Sequence, residues 1–250
     1  MKNILIIGHK SFIAKNFIND FGYKFNLFYL KKYFKRKDKN FPKVLKLFIK
    51  KNSINVILNF AANNDNSYKN ENFEKILESN FYLPITLINI SNFFKIPLFI
   101  FLSKDMYKEN KIKNFYSLSK GMLKTFINNS KFSCKLRLLN IDSLYGPYDL
   151  KKNRIFPSIF HNLYNKNKIK INLNQIKNFT YVKDLNKILF NLIFKKKQFI
   201  YKEIKSEKIN ITSVYRLFKK NKFYNLSKKN SKYHALFLTR EWYKKYYGKK

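Results

Sequence analysis

Apolar residues along this chain come in short blocks, separated by longer stretches in which they recur every three or four positions. Ile4 to Ile7 is a four-residue apolar run that stops at Gly8, the pattern of a parallel strand buried on both faces. Ile13, Phe17 and Phe21 then recur at i, i+4 and i+8, a helix stripe that Gly22 is placed to end. Phe25 to Leu30 reads as a second strand, Val44 to Ile49 as a helix and Val56 to Phe60 as a third strand. The pattern from Glu71 to Phe94 is helical and contains Pro84, which kinks the helix or lies near an end. Leu98 to Leu102 is the next strand. Leu118, Met122 and Phe126 share one helix face, and Lys135 to Leu139 is a further strand. Strand and helix alternate, which predicts a doubly wound α/β sheet. After Pro147 the pattern is less regular, with Phe156 to Leu163 helical, Thr180 to Val182 extended and Asp184 to Phe194 helical. This places one boundary after residue 146, with 147–250 as a mixed region that completes the core.

The 250 residues suffice for one large domain or two closely joined ones without disulfide or metal staples. The longest apolar run, Ile96 to Leu102, is far short of the roughly 20 residues that span a bilayer. Met1 to Gly8 is too short for the apolar region of a signal peptide. The expectation is a soluble cytoplasmic protein without a membrane partner, and a lone Cys134, which permits no internal disulfide, fits that compartment.

Charge changes the picture more than length does. Fifty-three Lys and Arg against 14 Asp and Glu give a formal net charge of +39, which invites a nucleic-acid reading. Only five of the basic residues are Arg, however, and Asn, Ile, Phe and Tyr are abundant beside Lys. All five abundant types have A/T-rich codons, so base-composition bias accounts for the excess without selection for a polyanion. The Lys residues also spread through the whole chain, in short clusters between apolar segments. A solvated surface is favoured and a nucleic-acid partner is not.

Candidate chemistry begins at Gly8-His9-Lys10-Ser11-Phe12-Ile13-Ala14, between the first strand and the first helix. A turn that presents backbone N–H groups and a helix N-terminus to a pyrophosphate needs small residues at the close approaches, and Gly8, Ser11 and Ala14 supply them at a spacing of three. Taken alone, an ordinary strand-to-helix turn explains the segment as well. Tyr116 and Lys120 lie one helical turn apart on one face, after the fourth strand, where an ammonium can lower a phenol pKa and the phenol can exchange a proton with a carbonyl or alcohol oxygen. Ser103 ends that strand. A Lys-rich chain produces Tyr-x-x-x-Lys by chance, as Tyr164 to Lys168 shows, so position singles out the first pair.

In order along the chain, these segments resemble the extended short-chain dehydrogenase/reductase family, in its branch of NAD(P)-dependent sugar-nucleotide epimerases, dehydratases and reductases. Gly8 to Ala14 looks like the family's Gly-x-x-Gly-x-x-Gly turn, including the Phe12-Ile13 pair inside it. Asn59-Phe60-Ala61-Ala62 resembles the His-x-Ala-Ala segment, and Asn80 the helix Asn that shapes the site. Ser103 stands four residues before Tyr107, as the active-site Ser or Thr does in the family. Tyr116 and Lys120 match the catalytic pair. Arg137 with Asn140, Tyr145-Gly146-Pro147, and Phe179 to Asp184 look like the Arg-x-x-Asn, Tyr-Gly-Pro and Phe-x-Tyr-Val-x-Asp elements.

The resemblance implies a Rossmann-type fold whose residues 1–146 bind NAD(P), with a small carboxy-terminal region that takes a nucleoside-diphosphate sugar. Gly8, Ser11, Phe12, Ile13, Ala14, Lys31, Ala61, Ala62 and Lys120 would face the cofactor, and Asn140 and Lys177 the substrate. Tyr116 would be general acid or base, Ser103 would hydrogen-bond the reacting oxygen, and Lys120 would orient the ribose. Lys31 and Lys32 follow the second strand with no acid before Asp38, which leans the cofactor to NADP over NAD. A homodimer stands open, and no metal is expected.

Some positions depart from the family pattern. Ser11 replaces a Gly, Asn59 replaces the usual His, the loop from Tyr107 to Tyr116 is short, Asn140 to Tyr145 is stretched, and Lys177 or Asn178 stands where an Arg is common. A 4-ketoreductase or a 4-epimerase is the leading reading. A 4,6-dehydratase is disfavoured because Lys104 and Asp105 stand where dehydratases carry Asp-Glu. A silent relative that binds nucleotide or RNA, and a reductase of another small carbonyl compound, remain alternatives. Cys134 reads as a small buried residue, Asp184 as a helix cap or structural partner, and Trp242 either packs the last helix or stacks on a base.

Overall fold

The structure is a computed structural model, which describes residues 1–30, 40–64, 70–104, 114–165, 169–220 and 231–248. Lys31, Lys32, Asp38, Asp105, Tyr107 and Lys168 lie outside the described residues. The chain divides into two compact units, residues 1–141 with 188–204, and residues 142–187 with 205–250. The boundary read from the sequence after residue 146 is therefore joined by a return of the chain to the first unit.

In the first unit, β1 (Lys2–Ile7), β2 (Phe25–Tyr29), β3 (Val56–Asn59), β4 (Leu98–Ser103), β5 (Leu136–Ile141) and β8 (Phe199–Glu203) form one sheet in the order β2-β1-β3-β4-β5-β8. Every pairing is parallel. The order reverses direction between β1 and β3, the topological switch point where ligands of such sheets bind. β1, β3 and β4 are buried on both faces, which explains why they read as unbroken apolar runs. Leu5, Ile57, Ile100 and Leu138 pack with Leu45 and Ile49 of α2 (Phe41–Lys51), and with Leu87 of α4 (Leu83–Phe94) and Leu123 of α5 (Phe115–Asn128).

Two expectations are refined. The helix α1 (Phe12–Phe21) ends before Gly22, yet Gly22 is right-handed (φ −57°) and opens a 3-10 turn, Gly22–Lys24. A Cβ there would stand 3.3 Å from Leu27 Cδ1, a tight approach that a small shift of that side chain would have to relieve. The long helical pattern splits into α3 (Asn70–Leu77), a π-turn (Glu78–Tyr82) and α4, with Pro84 in the first turn of α4. Pro84 has no N–H to return to the carbonyl four residues back, and the Leu83 N–H reaches Glu78 C=O, five residues back.

The second unit carries a three-stranded sheet in the order β6-β7-β9, from β6 (Ser143–Tyr145), β7 (Ile176–Tyr181) and β9 (Glu207–Asn210). Around it lie α6 (Ile155–Tyr164), α8 (Ile211–Lys220) and α9 (Ser231–Tyr247), while α7 (Val182–Ile193) carries the chain back towards the first unit. Its core is aromatic, with Phe160 stacked on Tyr243 at 4.2 Å and Phe156 on Tyr145 at 4.7 Å. The Tyr243 hydroxyl donates to the Asp149 carbonyl, and Arg154 pairs with the buried Asp149 carboxylate at 3.2 Å. Trp242 packs between Tyr148 and Tyr246 of the same unit. Among the described residues no helix is long and apolar enough to cross a membrane.

Candidate functional site

The turn after β1 and the turn after β3 meet at the switch point. Gly8 has φ +76°, and a Cβ on it would lie 2.5 Å from Ala61 N and 2.8 Å from the Phe60 carbonyl carbon. Both the backbone conformation and the close approach therefore demand glycine here. The Ser11 N–H donates to Gly8 C=O at 2.9 Å and closes the turn, and Ser11 Oγ accepts from the Ala14 N–H at 3.2 Å as the cap of α1. Phe12 and Ile13 open the helix behind it. On the facing turn, Asn59 Oδ1 accepts from the Ala61 N–H at 3.2 Å, so Asn holds this loop with a short polar side chain. Ala62 is exposed beyond it. Glycine lets the β1 turn pack directly on the β3 turn, and the N-terminus of α1 beside it suits the pyrophosphate of a dinucleotide.

Along the same edge, Ser103 ends β4 and pairs with Ile141 of β5. α5 begins with a capping box, in which the Ser117 N–H donates to Asn114 Oδ1 (2.9 Å) and the Asn114 N–H to Ser117 Oγ (3.2 Å). This fixes Tyr116 in the first turn, with Lys120 one turn later. Lys120 is only 4% exposed, and its Nζ donates to Phe101 C=O of β4 at 2.8 Å. Burial lowers its pKa from 10.5 to about 8. The hydrogen bond ties the lysine to the strand that Ser103 terminates.

A network not foreseen in full holds this corner. Asn80, fully buried in the π-turn, donates through Nδ2 to Asn63 C=O (2.7 Å) and Ser119 Oγ (3.1 Å), and its Oδ1 accepts from the Asn63 N–H at 2.9 Å. Ser119 Oγ in turn donates to Tyr116 C=O at 2.8 Å. One amide thus links the β3 turn to the first turn of α5. Ser119 and Asn63 were missed; the small hydroxyl residue immediately before Lys120 was the available signal.

Asn140 is buried on β5, and its Nδ2 donates to Tyr201 Oη at 3.0 Å, with Glu203 Oε1 at 3.5 Å. Neither Tyr201 nor Glu203 of β8 was singled out from the sequence. Arg137 is wholly buried and donates to the carbonyls of Lys195 (2.8 Å) and Gln198 (3.1 Å), clamping the approach to β8. Lys177 lies exposed on β7 of the second unit. Burial pushes the Cys134 thiol up to about 11, which suits a packing residue and not a nucleophile. Asp184 pairs with Lys187 at 3.4 Å in the first turn of α7. Among the described residues no group of three or more His, Cys, Asp or Glu is placed to hold a metal ion.

Residues 4–211 match the family described as the NAD dependent epimerase/dehydratase family. Among solved structures, the UDP-glucuronic acid 4-epimerase of Bacillus cereus in complex with NAD is similar over 99% of this chain and 98% of its own, with a TM-score of 0.77 at 13% identity. The UDP-glucose 4-epimerase of Thermotoga maritima with UDP-glucose is similar over 97% and 99%, with a TM-score of 0.76 at 11% identity. The dTDP-4-dehydrorhamnose reductase of Bacillus anthracis in complex with NADP is similar over 86% and 79%, with a TM-score of 0.70 at 14% identity. At these identities the likeness is one of fold. No curated protein sequence matches the chain.

Proposed function

The chain belongs to the NAD dependent epimerase/dehydratase family, and from that premise we propose that it is an NAD(P)-dependent oxidoreductase of a nucleoside-diphosphate sugar, acting as a 4-ketoreductase or a 4-epimerase. The observation that carries this reading is Lys120, a buried ammonium of lowered pKa, held by the Phe101 carbonyl on the strand that Ser103 ends and one turn after Tyr116. A buried amine without a task is costly, and structural packing alone has no need of one.

Gly8, Ser11, Phe12, Ile13, Ala14, Ala61 and Ala62 would hold the cofactor at the switch point. When bound, the nicotinamide supplies the hydride or receives it. Tyr116 transfers the proton at the reacting sugar oxygen, Ser103 donates a hydrogen bond to that oxygen, and Lys120 orients the ribose while favouring the phenolate of Tyr116. Asn140 and Lys177 remain the proposed substrate contacts. Unlike the leading pair, they rest on the resemblance, since the Asn140 amide nitrogen is already engaged with Tyr201 and Glu203.

NADP is the proposed cofactor. The lean rests on Lys31 and Lys32, which follow β2 in the sequence with no acid before Asp38; His9 sits against Tyr29 at the end of that strand, with ring centroids 5.2 Å apart. The dehydratase reading stays disfavoured. Lys104 Nζ donates to Ile204 C=O at 2.8 Å, which ties to the residue after β8 the side chain that would have to protonate a leaving hydroxyl.

The test is a panel of nucleoside-diphosphate sugars and their 4-keto derivatives with both nicotinamide cofactors. Epimerised sugar or oxidation of NADPH by a 4-keto sugar is expected. A 4-keto-6-deoxy product formed at an enzymatic rate would replace this reading by a dehydratase, and turnover confined to non-nucleotide carbonyls would remove the sugar nucleotide.

A further inference from the structure

In a parallel sheet with helical crossovers, every strand starts and every crossover helix ends at the same edge. In the first unit that amino edge is opposite the one bearing Gly8, Ser103 and Lys120. The topology gathers there lysines that are far apart in the chain. Residues 1–2, 20–25, 49–56, 93–98, 128–136 and 193–199 make up the edge and hold ten Lys, no Arg and one acid, Asp20. Lys50 and Lys51 close α2, Lys95 follows α4, and Lys195, Lys196 and Lys197 follow α7, all of them exposed. Cations at helix C-termini complement the helix dipole, which accounts for part of this charge.

The dipole does not account for the aromatic residues on the same edge. Tyr23 is 74% exposed, Phe93 66%, Phe194 53% and Phe199 43%. Three of these rings carry an ammonium: Lys24 Nζ lies 5.1 Å from the Tyr23 centroid, Lys46 Nζ 4.5 Å from Phe93 and Lys2 Nζ 5.9 Å from Phe194. Beside Phe194 is a cavity of about 470 Å³ lined by Ile188, Asn191, Leu192, Phe194, Lys195 and Lys202, apolar side chains mixed with two ammonium groups.

We propose that this edge is a docking face for an anionic lipid bilayer, bound peripherally. Exposed rings flanked by lysines are the composition of an interfacial anchor, in which rings enter the headgroup boundary and each nearby Lys gains from anionic lipid. A nucleic acid would be expected to engage the forked guanidinium of Arg, and the edge exposes none: the guanidinium of Arg137 is wholly buried on the Lys195 and Gln198 carbonyls. Docking by the amino edge leaves the carboxyl edge, with its candidate site, facing water.

Flotation of the whole protein with vesicles tests this. Binding is expected to phosphatidylcholine vesicles containing about one-third phosphatidylglycerol at about 0.1 M salt, and not to phosphatidylcholine alone. The triple variant K195Q/K196Q/K197Q should lose about 100-fold in partitioning, the scale of three surface lysines. A control of equal charge in the second unit, K170Q/K205Q/K208Q, should change it by less than about threefold. Phe93→Gln with Phe199→Gln should abolish whatever binding survives at about 0.5 M salt, where charge is screened. Equal losses in the two triple variants would reduce the effect to diffuse net charge and overturn the proposal, as would absence of binding to the anionic vesicles. Displacement from vesicles by polyuridylate at equal phosphate, with RNA binding also lost in K195Q/K196Q/K197Q, would assign the edge to nucleic acid instead. Unchanged thermal unfolding of each variant shows that the fold is intact.

Discussion

Burial takes the Lys120 ammonium out of water, and the Phe101 carbonyl that accepts from it replaces only part of the lost hydration. The consequence is measurable as linkage. The folded chain releases this proton near pH 8, the unfolded chain near 10.5. Between those values the unfolded state binds more protons, so this residue makes stability rise with pH across the window, while below pH 8 its cost is fully present. The two and a half units between the values correspond to about 3 kcal/mol. Tyr145 and Tyr243 act in the opposite sense, since burial raises both and their contribution falls away in strong alkali. The quantity to measure is therefore the difference between wild type and Lys120→Met in urea unfolding from pH 7 to 10. Wild type should gain stability relative to Lys120→Met as pH rises from about 8 to 10; a constant gap would mean that the folded chain holds this proton as tightly as the unfolded one, so that burial does not lower the pKa. Tyr116 answers to a different readout. Removing its hydroxyl in Tyr116→Phe should lower turnover by at least ~100-fold while leaving cofactor titrations and unfolding nearly unchanged, the usual scale for a lost general acid or base. Turnover within a few-fold of wild type would take the proton transfer away from this residue.

At the level of elements, the π-turn Glu78–Tyr82 joins what the sequence spaces far apart. Asn80 satisfies Asn63 on both backbone groups and reaches Ser119, so the β3 turn and the first turn of α5 share one side chain. Asn80→Ala takes this partner from the half-buried Asn63 N–H and C=O and from the buried Ser119 hydroxyl, at a cost of up to about 1–3 kcal/mol for each group that loses its partner. The expected result is a loss of about 3 kcal/mol in unfolding together with weaker cofactor binding and slower turnover. A variant with lowered stability but intact kinetics would confine Asn80 to structure. This corner also shows what was legible beforehand. β1, β3 and β4 are unbroken apolar runs because both of their faces are covered, and Gly8 stands out because a run of that kind must end in a turn. β8 was not legible. Its sequence Phe-Ile-Tyr-Lys-Glu is mostly exposed, as an edge strand is, and only its pairing with β5 makes it part of the sheet. Tyr201 and Glu203 were missed with it, and with them the partners of Asn140. The return of residues 188–204 to the first unit has the same origin, because nothing local in α7 announces that the strand after it belongs to the earlier sheet.

For the molecule as a whole, the decisive quantity is the formal charge of +39, carried by 53 basic against 14 acidic residues. The described ion pairs do little to balance it: Lys187 with Asp184 is exposed, Arg240 with Glu241 joins chain neighbours, and Arg154 with Asp149 lies in the core of the second unit. Most of the ammonium groups therefore repel one another across the surface, and folding brings them closer than they are in the extended chain. Repulsion of this kind is long-ranged at low ionic strength and is screened once the Debye length falls to about 10 Å, near 0.1 M salt. Thermal stability should accordingly rise when sodium chloride is raised from about 0.01 M to about 0.2 M, by about 5 °C, or roughly 2 kcal/mol for a chain of this size. Chloride is the informative salt, because sulfate and phosphate would add their own exclusion from the surface and anion binding at helix N-termini. The direction separates the two ways in which charge can act. Favourable surface pairs are weakened by salt and would lower the unfolding temperature, whereas net repulsion is relieved by it and raises the temperature. An unfolding temperature that stays level or falls between those salt concentrations would show that the lysines are locally compensated, and the charge would then carry no penalty for the fold.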